Sequence, residues 1–209
     1  KAACRDAVLP MLAGVMLHAA EHDGRRVLVA TATDRYCALQ GNVAAEGDLH
    51  RPVWLTRAQV RQVLTAVAPY TSRKRGTFAQ VEIVVDDERA TFRQAALPDL
   101  ADVSIAIPLQ SPKHGFPDIT KVIETAREAG PFSGAVQFDG ARLGIVASIA
   151  AAHHEYLRIR PTGAKAPALL QVADHLLGLL MPVGPGSDNE AALDLAVFPV
   201  PELAAAVAA

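Results

Sequence analysis

Aromatic residues are scarce: Phe, Trp and Tyr together make up 5% of the 209 residues, with a single tryptophan. A core without large rings has to be assembled from Val, Leu, Ile and Ala, and the 51% hydrophobic fraction is ample for that. Cysteine is almost missing. Cys4 and Cys37 are too few for a disulfide framework or a four-thiolate zinc site, and they read as free thiols of a reducing, cytoplasmic protein. Charge of one sign is lacking as well. A net charge of −2 argues against a surface dominated by phosphate contacts, although a basic face can sit inside a balanced total. No apolar run reaches ~18 residues, so no membrane-spanning helix is expected. No secretory leader pattern is visible. A glycine-rich phosphate loop and a Ser/His/Asp nucleophile signature are both missing, so nothing points to an enzyme or to a cofactor.

What is present is a chain of one large or two small domains whose hydrophobic period changes several times. Residues 12–20 and 26–33 are strand-like around the Glu21-His22-Asp23-Gly24 turn, and a further strand is predicted over 36–44. Residues 51–55 are a short extended piece. From Thr56 the apolar positions Val60, Val63, Leu64 and Val67 take helical spacing, with Thr56 and Gln59 in a capping-box pattern and Pro69 as the stop. Residues 80–85 and 90–94 form a second hairpin around Asp86-Asp87-Glu88, and 103–109 is another strand. A short helix is expected over 119–129 and a short extended piece over 134–138. Asp139 is positioned to cap a helix reaching about Ile149. Strands follow at 157–160, 168–172 and 176–183, and then a Gly-Pro-Gly-Ser linker composition leads into an Ala-rich tail. A helix followed by several strands thus occurs at 56–109 and again at 139–183. The opening strands read as the remainder of a third copy. The pattern predicts an α+β fold of repeated half-units, each an antiparallel sheet carrying a helix. Lys1 opens on what reads as the tail of a helix, an expectation that something precedes it.

Several groups invite chemistry. Adjacent His153 and His154, with Glu155, point in different directions on one element and have no third ligand at metal-site spacing, so no metal is expected. A hydrolase built on these three residues is kept only as a control. Asp86, Asp87 and Glu88 read as a turn rather than an acid–base pair. Asp34 reads first as a turn carboxylate accepting backbone N–H groups. Arg57 and Arg61, four apart, share a helix face, and with Arg73, Lys74 and Arg75 they form the densest positive cluster.

Four stretches, in this order and spacing, make the sequence similar to the bacterial DNA polymerase III beta sliding clamps. Leu12-Ala13-Gly14-Val15-Met16-Leu17 is similar to the first core strand of the clamp's middle domain. Ala32-Thr33-Asp34-Arg35-Tyr36 is similar to the corner that follows it, where the clamps carry Gly in place of Arg35. Gly115-Phe116-Pro117-Asp118 resembles the signature closing that domain, and Leu179-Leu180-Met181-Pro182-Val183 resembles the strand that ends the clamp chain. The resemblance implies a DNA-clamp-like (processivity) fold divided into a middle-domain-like part at 1–118, a linker plus last half-domain at 119–183, and a Pro/Gly/Ala-rich tail at 184–209. It implies a non-enzymatic scaffold that associates with double-stranded DNA without reading bases, assembles with further copies, and binds short peptides of polymerases and other replication proteins. The peptide groove it implies would use Leu12, Thr33, Arg35, Tyr36, Cys37, Ala38, Met181 and Pro182. The DNA backbone would meet Arg57, Arg61, Arg73, Lys74 and Arg75. In the tail, Leu193-Asp194-Leu195 with Phe198 resembles the peptides that dock in clamp grooves, against the plainer reading of an amphipathic or unstructured end. The alternative to a processivity scaffold is a clamp-derived interaction or ligand-sensing module of a DNA-binding transcriptional regulator whose N-terminal domain is missing.

Overall fold

The computed structural model describes residues 3, 9–67, 80–94, 103–111 and 115–183. Arg73, Lys74, Arg75 and the whole 184–209 tail lie outside the described residues.

A 3-10 turn at Pro10–Leu12 leads into strand β1 (Gly14–His22), which turns at Asp23-Gly24 into β2 (Arg25–Thr33) and then β3 (Cys37–Ala44). Leu12 therefore sits ahead of the first strand and not within it. Proline at the first position of the turn locks φ, and the backbone closes there with Leu12 N–H donating to Leu9 O. β4 (Val53–Thr56) runs directly into helix α1 (Arg57–Val67). The capping box forms as the sequence predicts. Gln59 N–H donates to Thr56 Oγ1 at 3.2 Å, while Thr56 N–H donates to Gln59 Oε1 at 2.8 Å. Then come β5 (Val81–Val85), β6 (Arg89–Gln94) and β7 (Val103–Pro108), an antiparallel three-stranded sheet. Asp86 makes the β5–β6 turn, its Oδ1 accepting the N–H groups of Glu88 and Arg89 at 2.8 Å each, and those bonds hold its carboxyl below its ordinary pKa.

The second repeat is α3 (Gly140–His153) with β8 (Leu157–Arg160), β9 (Ala168–Val172) and β10 (Leu176–Leu180), preceded by α2 (Ile119–Glu128). Asp118 and Asp139 cap α2 and α3, their Oδ1 atoms accepting from Lys121 N–H and Arg142 N–H. Two boundaries differ from expectation. α3 continues past Ile149 because Ala150 to His153 are good or neutral helix formers, and it stops where His154 turns left-handed at φ 56. Residues 134–138 form no strand; their link to a neighbour is the Val183 N–H donated to Gln137 O at 2.8 Å.

The opening strands β1–β4 and the second repeat's β8–β10 join in one seven-stranded antiparallel sheet, ordered β4-β1-β2-β3-β10-β9-β8, while β5–β7 stay apart in the three-stranded sheet. The seam is β3 against β10, with Cys37 opposite Leu180 and Ala38 opposite Leu179. Sheet parity then sorts the core. Ala30 and Ala32 point to one face. There α1 packs with Leu17, Val53, Leu55, Phe92 and Ile107, and α3 packs with Cys37, Leu39, Leu170, Val172 and Leu180. Helix α2 covers part of the other face, where Ile123 and Ala126 meet Ala38 and Leu179. The core is almost wholly aliphatic: Trp54 and Phe92 are its buried rings among the described residues.

Candidate peptide groove at the β3–β10 seam

The corner between β2 and β3 is built by side-chain-to-backbone bonds. Asp34 Oδ1 accepts the N–H groups of Tyr36 (3.0 Å) and Cys37 (2.7 Å). Thr33 Oγ1 donates to Cys37 O and accepts from Arg35 N–H. This is a hydrogen-bonded Asx corner, so the turn role expected of Asp34 is what the fold uses. The tight corner forces Arg35 into the left-handed region at φ 82, a conformation that costs a side-chain-bearing residue roughly 1 kcal/mol or more. Its consequence is placement: Arg35 and Tyr36 are thrown outward while Thr33 and Ala38 stay buried.

Tyr36 is held from beyond its own corner. Arg142, in the first turn of α3, lies with its guanidinium carbon 4.3 Å from the Tyr36 ring centroid, and that of Arg35 lies at 5.4 Å. Arg142 is in turn fixed by Asp34 at 3.5 Å and Asp139 at 3.4 Å. Arg35 is different. Among the described residues no carboxylate pairs with it.

Beneath the corner a groove of about 500 Å³ opens on the face of the sheet next to α2. Its floor is Ala38 and Leu179 across the seam, with Leu12 and Met11 from the 3-10 turn at one end. Met181 closes the seam side, its N–H donating to Tyr36 O at 2.7 Å. Phe116 and Pro117, then Ile119 and Val122 on the outer side of α2, form the opposite wall. Thr33 and Arg35 supply the polar rim. The lining is predominantly apolar, with Val122 41% exposed and Tyr36 45% exposed: hydrophobic surface left open beside a recess.

Of the eight residues expected there, Leu12, Thr33, Arg35, Tyr36, Ala38 and Met181 line this one groove. Cys37 does not. Strand alternation turns it to the α3 face, where it is 2% exposed between Leu39 and Leu180, and burial, together with the nearby Asp34 carboxylate, pushes its thiol up to about 11. Pro182 also falls outside the lining; the chain has left the strand by then, and Val183 is tied to Gln137. The α2 wall and Arg142 were not anticipated. The 119/122/123/126 spacing holds the signal for α2, since Ile123 and Ala126 fill the core stripe and leave Ile119 and Val122 as a second apolar edge. Arg142 had no local signal at all.

Arg57 and Arg61 are both exposed on α1 and border a shallower recess of about 370 Å³ with Val15, Val60, Leu64 and Thr65. On α3, the other helix of that face, the exposed residues up to Ala152 are Gly and Ala. His153 ends α3 with its ring 5.4 Å from that of His175, and His154 and Glu155 serve the helix C-terminus through their N–H groups. Among the described residues no three His, Cys, Asp or Glu side chains gather as for a metal, and no helix is long and apolar enough to cross a membrane.

By sequence, no family model and no curated relative matches the chain. By structure, it is similar to the DnaN sliding clamp of Bartonella birtlesii, solved bound to griselimycin, with a TM-score of 0.59 at 16% identity. The beta subunit of Pseudomonas aeruginosa DNA polymerase III gives 0.59 at 16%, and the beta chain from Streptococcus pneumoniae 0.56 at 16%. In each case the match covers 87% of this chain but only 59–61% of the other. The chain thus has the fold of the bacterial DNA polymerase III beta sliding clamps, on about 60% of a clamp's length.

Proposed function

We propose that the chain is a clamp-like, non-catalytic scaffold that associates with double-stranded DNA and receives short apolar peptides of partner proteins in the β3–β10 groove. The observation that supports it best is the groove: six residues from distant parts of the chain converge on an apolar recess with a polar rim, in a fold whose neighbours are replication clamps. A preformed recess of this size suits one or two bulky side chains of a short peptide. Arg57 and Arg61 on α1 supply the side that meets phosphates, and the basic run Arg73, Lys74 and Arg75, which lies outside the described residues, adds positive charge in the sequence. Such contacts position without reading bases, and they weaken steeply with salt. Further copies are expected to associate.

The deciding measurement is a calorimetric titration with a short peptide carrying two or three large apolar residues, run on the parent and on Tyr36→Ala. Removing Tyr36 strips one wall and is expected to weaken binding at least about tenfold, which corresponds to ~1.4 kcal/mol. Equal affinity in both proteins would retire the groove. For the DNA side, light scattering with circular double-stranded DNA at low and high salt is expected to show salt-sensitive association. A chain that stays monomeric and never joins DNA would remove that half of the reading.

A further inference from the structure

We propose that Arg35 makes the groove selective for acidic apolar peptides, partner segments in which an Asp or Glu side chain stands beside the bulky residues that enter the recess; this rests on the groove being a peptide site. The first observation is an isolated charge. Among the described side chains that line the groove, Arg35 is the charged one. It is exposed, and no carboxylate among the described residues pairs with it. The nearby acids are already engaged. Asp34 accepts from Tyr36 N–H and Cys37 N–H and faces Arg142, and Asp118 caps α2. The second observation is that the corner's other polar groups are occupied. Thr33 Oγ1 bonds Cys37 O and Arg35 N–H, and Tyr36 O accepts from Met181 N–H. An entering peptide therefore meets a guanidinium fork, all donors and no acceptor, whose complement is an anion. The third observation is placement. Arg35 sits at φ 82, a conformation that glycine would adopt without strain. Its guanidinium carbon lies 5.4 Å from the ring centroid of Tyr36, itself a groove residue, and Arg142 stacks on that ring at 4.3 Å. Backbone strain is thus accepted at a position that carries a cation to the lip of the recess.

This placement defines the partner's chemistry. A nucleic-acid phosphate would satisfy the guanidinium but gain nothing from a floor of Ala38 and Leu179. A peptide with an acid about one or two positions from its apolar anchors uses both parts. The floor takes the anchors, and the guanidinium takes the carboxylate through paired N–H···O bonds. An exposed ion pair adds little affinity and is screened by salt, so its main effect is to discriminate between peptides.

The test titrates the full chain with acetylated, amidated peptides in which two adjacent leucines are flanked on both sides by Asp, by Asn or by Lys. A further peptide keeps Asn but leaves its C-terminus free, which separates a side-chain carboxylate from a terminal one. Methyl-labelled methionine spectra locate the binding, because Met11 and Met181 line the groove whereas Met16 pairs with Thr31 and Trp54 outside it. The Asp peptide is expected to bind about three- to tenfold more tightly than the Asn peptide, with the Lys peptide weakest, and to shift Met11 and Met181 more than Met16. The preference should shrink in roughly 1 M salt. Arg35→Gln should abolish the Asp-over-Asn preference while leaving the Asn peptide within about twofold of its parent affinity. Arg35→Lys should keep part of the preference, and Arg35→Glu should reverse the order of Asp and Lys. A purely structural role for Arg35 would instead weaken all the peptides alike. If Asp and Asn peptides bind the parent equally, or the preference survives Arg35→Gln, the selectivity is wrong and the groove stands. If no peptide moves Met11 and Met181, the groove reading falls as well. If the free C-terminus matches the Asp peptide, the groove takes a chain end and the side-chain assignment is overturned. Met11 and Met181 signals that change on diluting the chain alone would assign the groove to a second copy and overturn the partner reading.

Discussion

Cys37 and Ala38 are neighbours in the chain and have opposite fates. Cys37 enters a closed core under α3, together with Leu170, Val172 and Leu180, all three fully buried. Ala38 enters the floor of an open groove, where α2 covers only part of the sheet. The two faces of the seam are made of the same aliphatic residue types, so composition does not distinguish them. What does is how completely a helix covers each face. The closed face spends its apolar surface on stability. The open face leaves some of it unspent, and unburied apolar area beside a recess is what a binding partner can use.

The largest expected effect tests the closed side. Leu170→Ala removes a fully buried side chain next to Val146 and should cost about 2–5 kcal/mol in urea or guanidinium unfolding. Its counterpart, Val122→Ala on the groove wall, should stay within about 0.5 kcal/mol because Val122 is 41% exposed; equal losses would erase the contrast. Next is Gly178→Ala at the seam itself. A methyl there would meet Leu39 Cδ2 at 2.5 Å and Ala38 O at 2.6 Å, which forces β10 away from β3 and should cost about 1–3 kcal/mol. Because that shift moves Leu179 and Met181, it should also weaken peptide binding, and a loss of stability with unchanged binding would separate seam from groove. Arg35→Gly should act in the opposite direction. It relieves the positive φ and stabilises the fold by roughly 1 kcal/mol, while removing the cation at the groove's rim.

The smallest effect concerns pH. The Cys37 thiol is pushed up to about 11 in the folded chain, chiefly by desolvation, whereas in the unfolded chain it ionises near 9. The folded state therefore holds this proton more tightly. Its contribution is fully present below pH 9 and is lost as the pH rises through about 11. In a Cys4→Ser background, alkylation of Cys37 at pH 8 should be slow until denaturant is added; rapid labelling of the native chain would place the thiol outside the closed core.

Much of this architecture was legible locally. The hairpins at Asp23-Gly24 and Asp86, the Thr56–Gln59 capping box and the Asp118 and Asp139 caps all depend on residues within four positions of one another, and each formed. The clamp resemblance carried the fold further than periodicity alone did, and the solved clamps bear it out. Legibility failed at distance. Nothing local shows that Arg142 stacks on Tyr36, or that Ile119 and Val122 wall a groove floored by Ala38 and Leu179. It failed as well by a single position at Cys37, which shares a motif with the groove residues but not a face.

The sequence by itself determined the elements, their caps and their turns, because backbone geometry and side-chain-to-backbone bonding act over a few residues. It also determined the aliphatic character of the core and the turn role of Asp34. Only the tertiary structure decided which apolar residues were closed over and which stayed open. That depends on β3 meeting β10 across more than a hundred residues of chain, and on how far α2 and α3 reach over the two faces so joined. Pairing partners at such separation are set by the packing of the whole sheet, which no short stretch encodes.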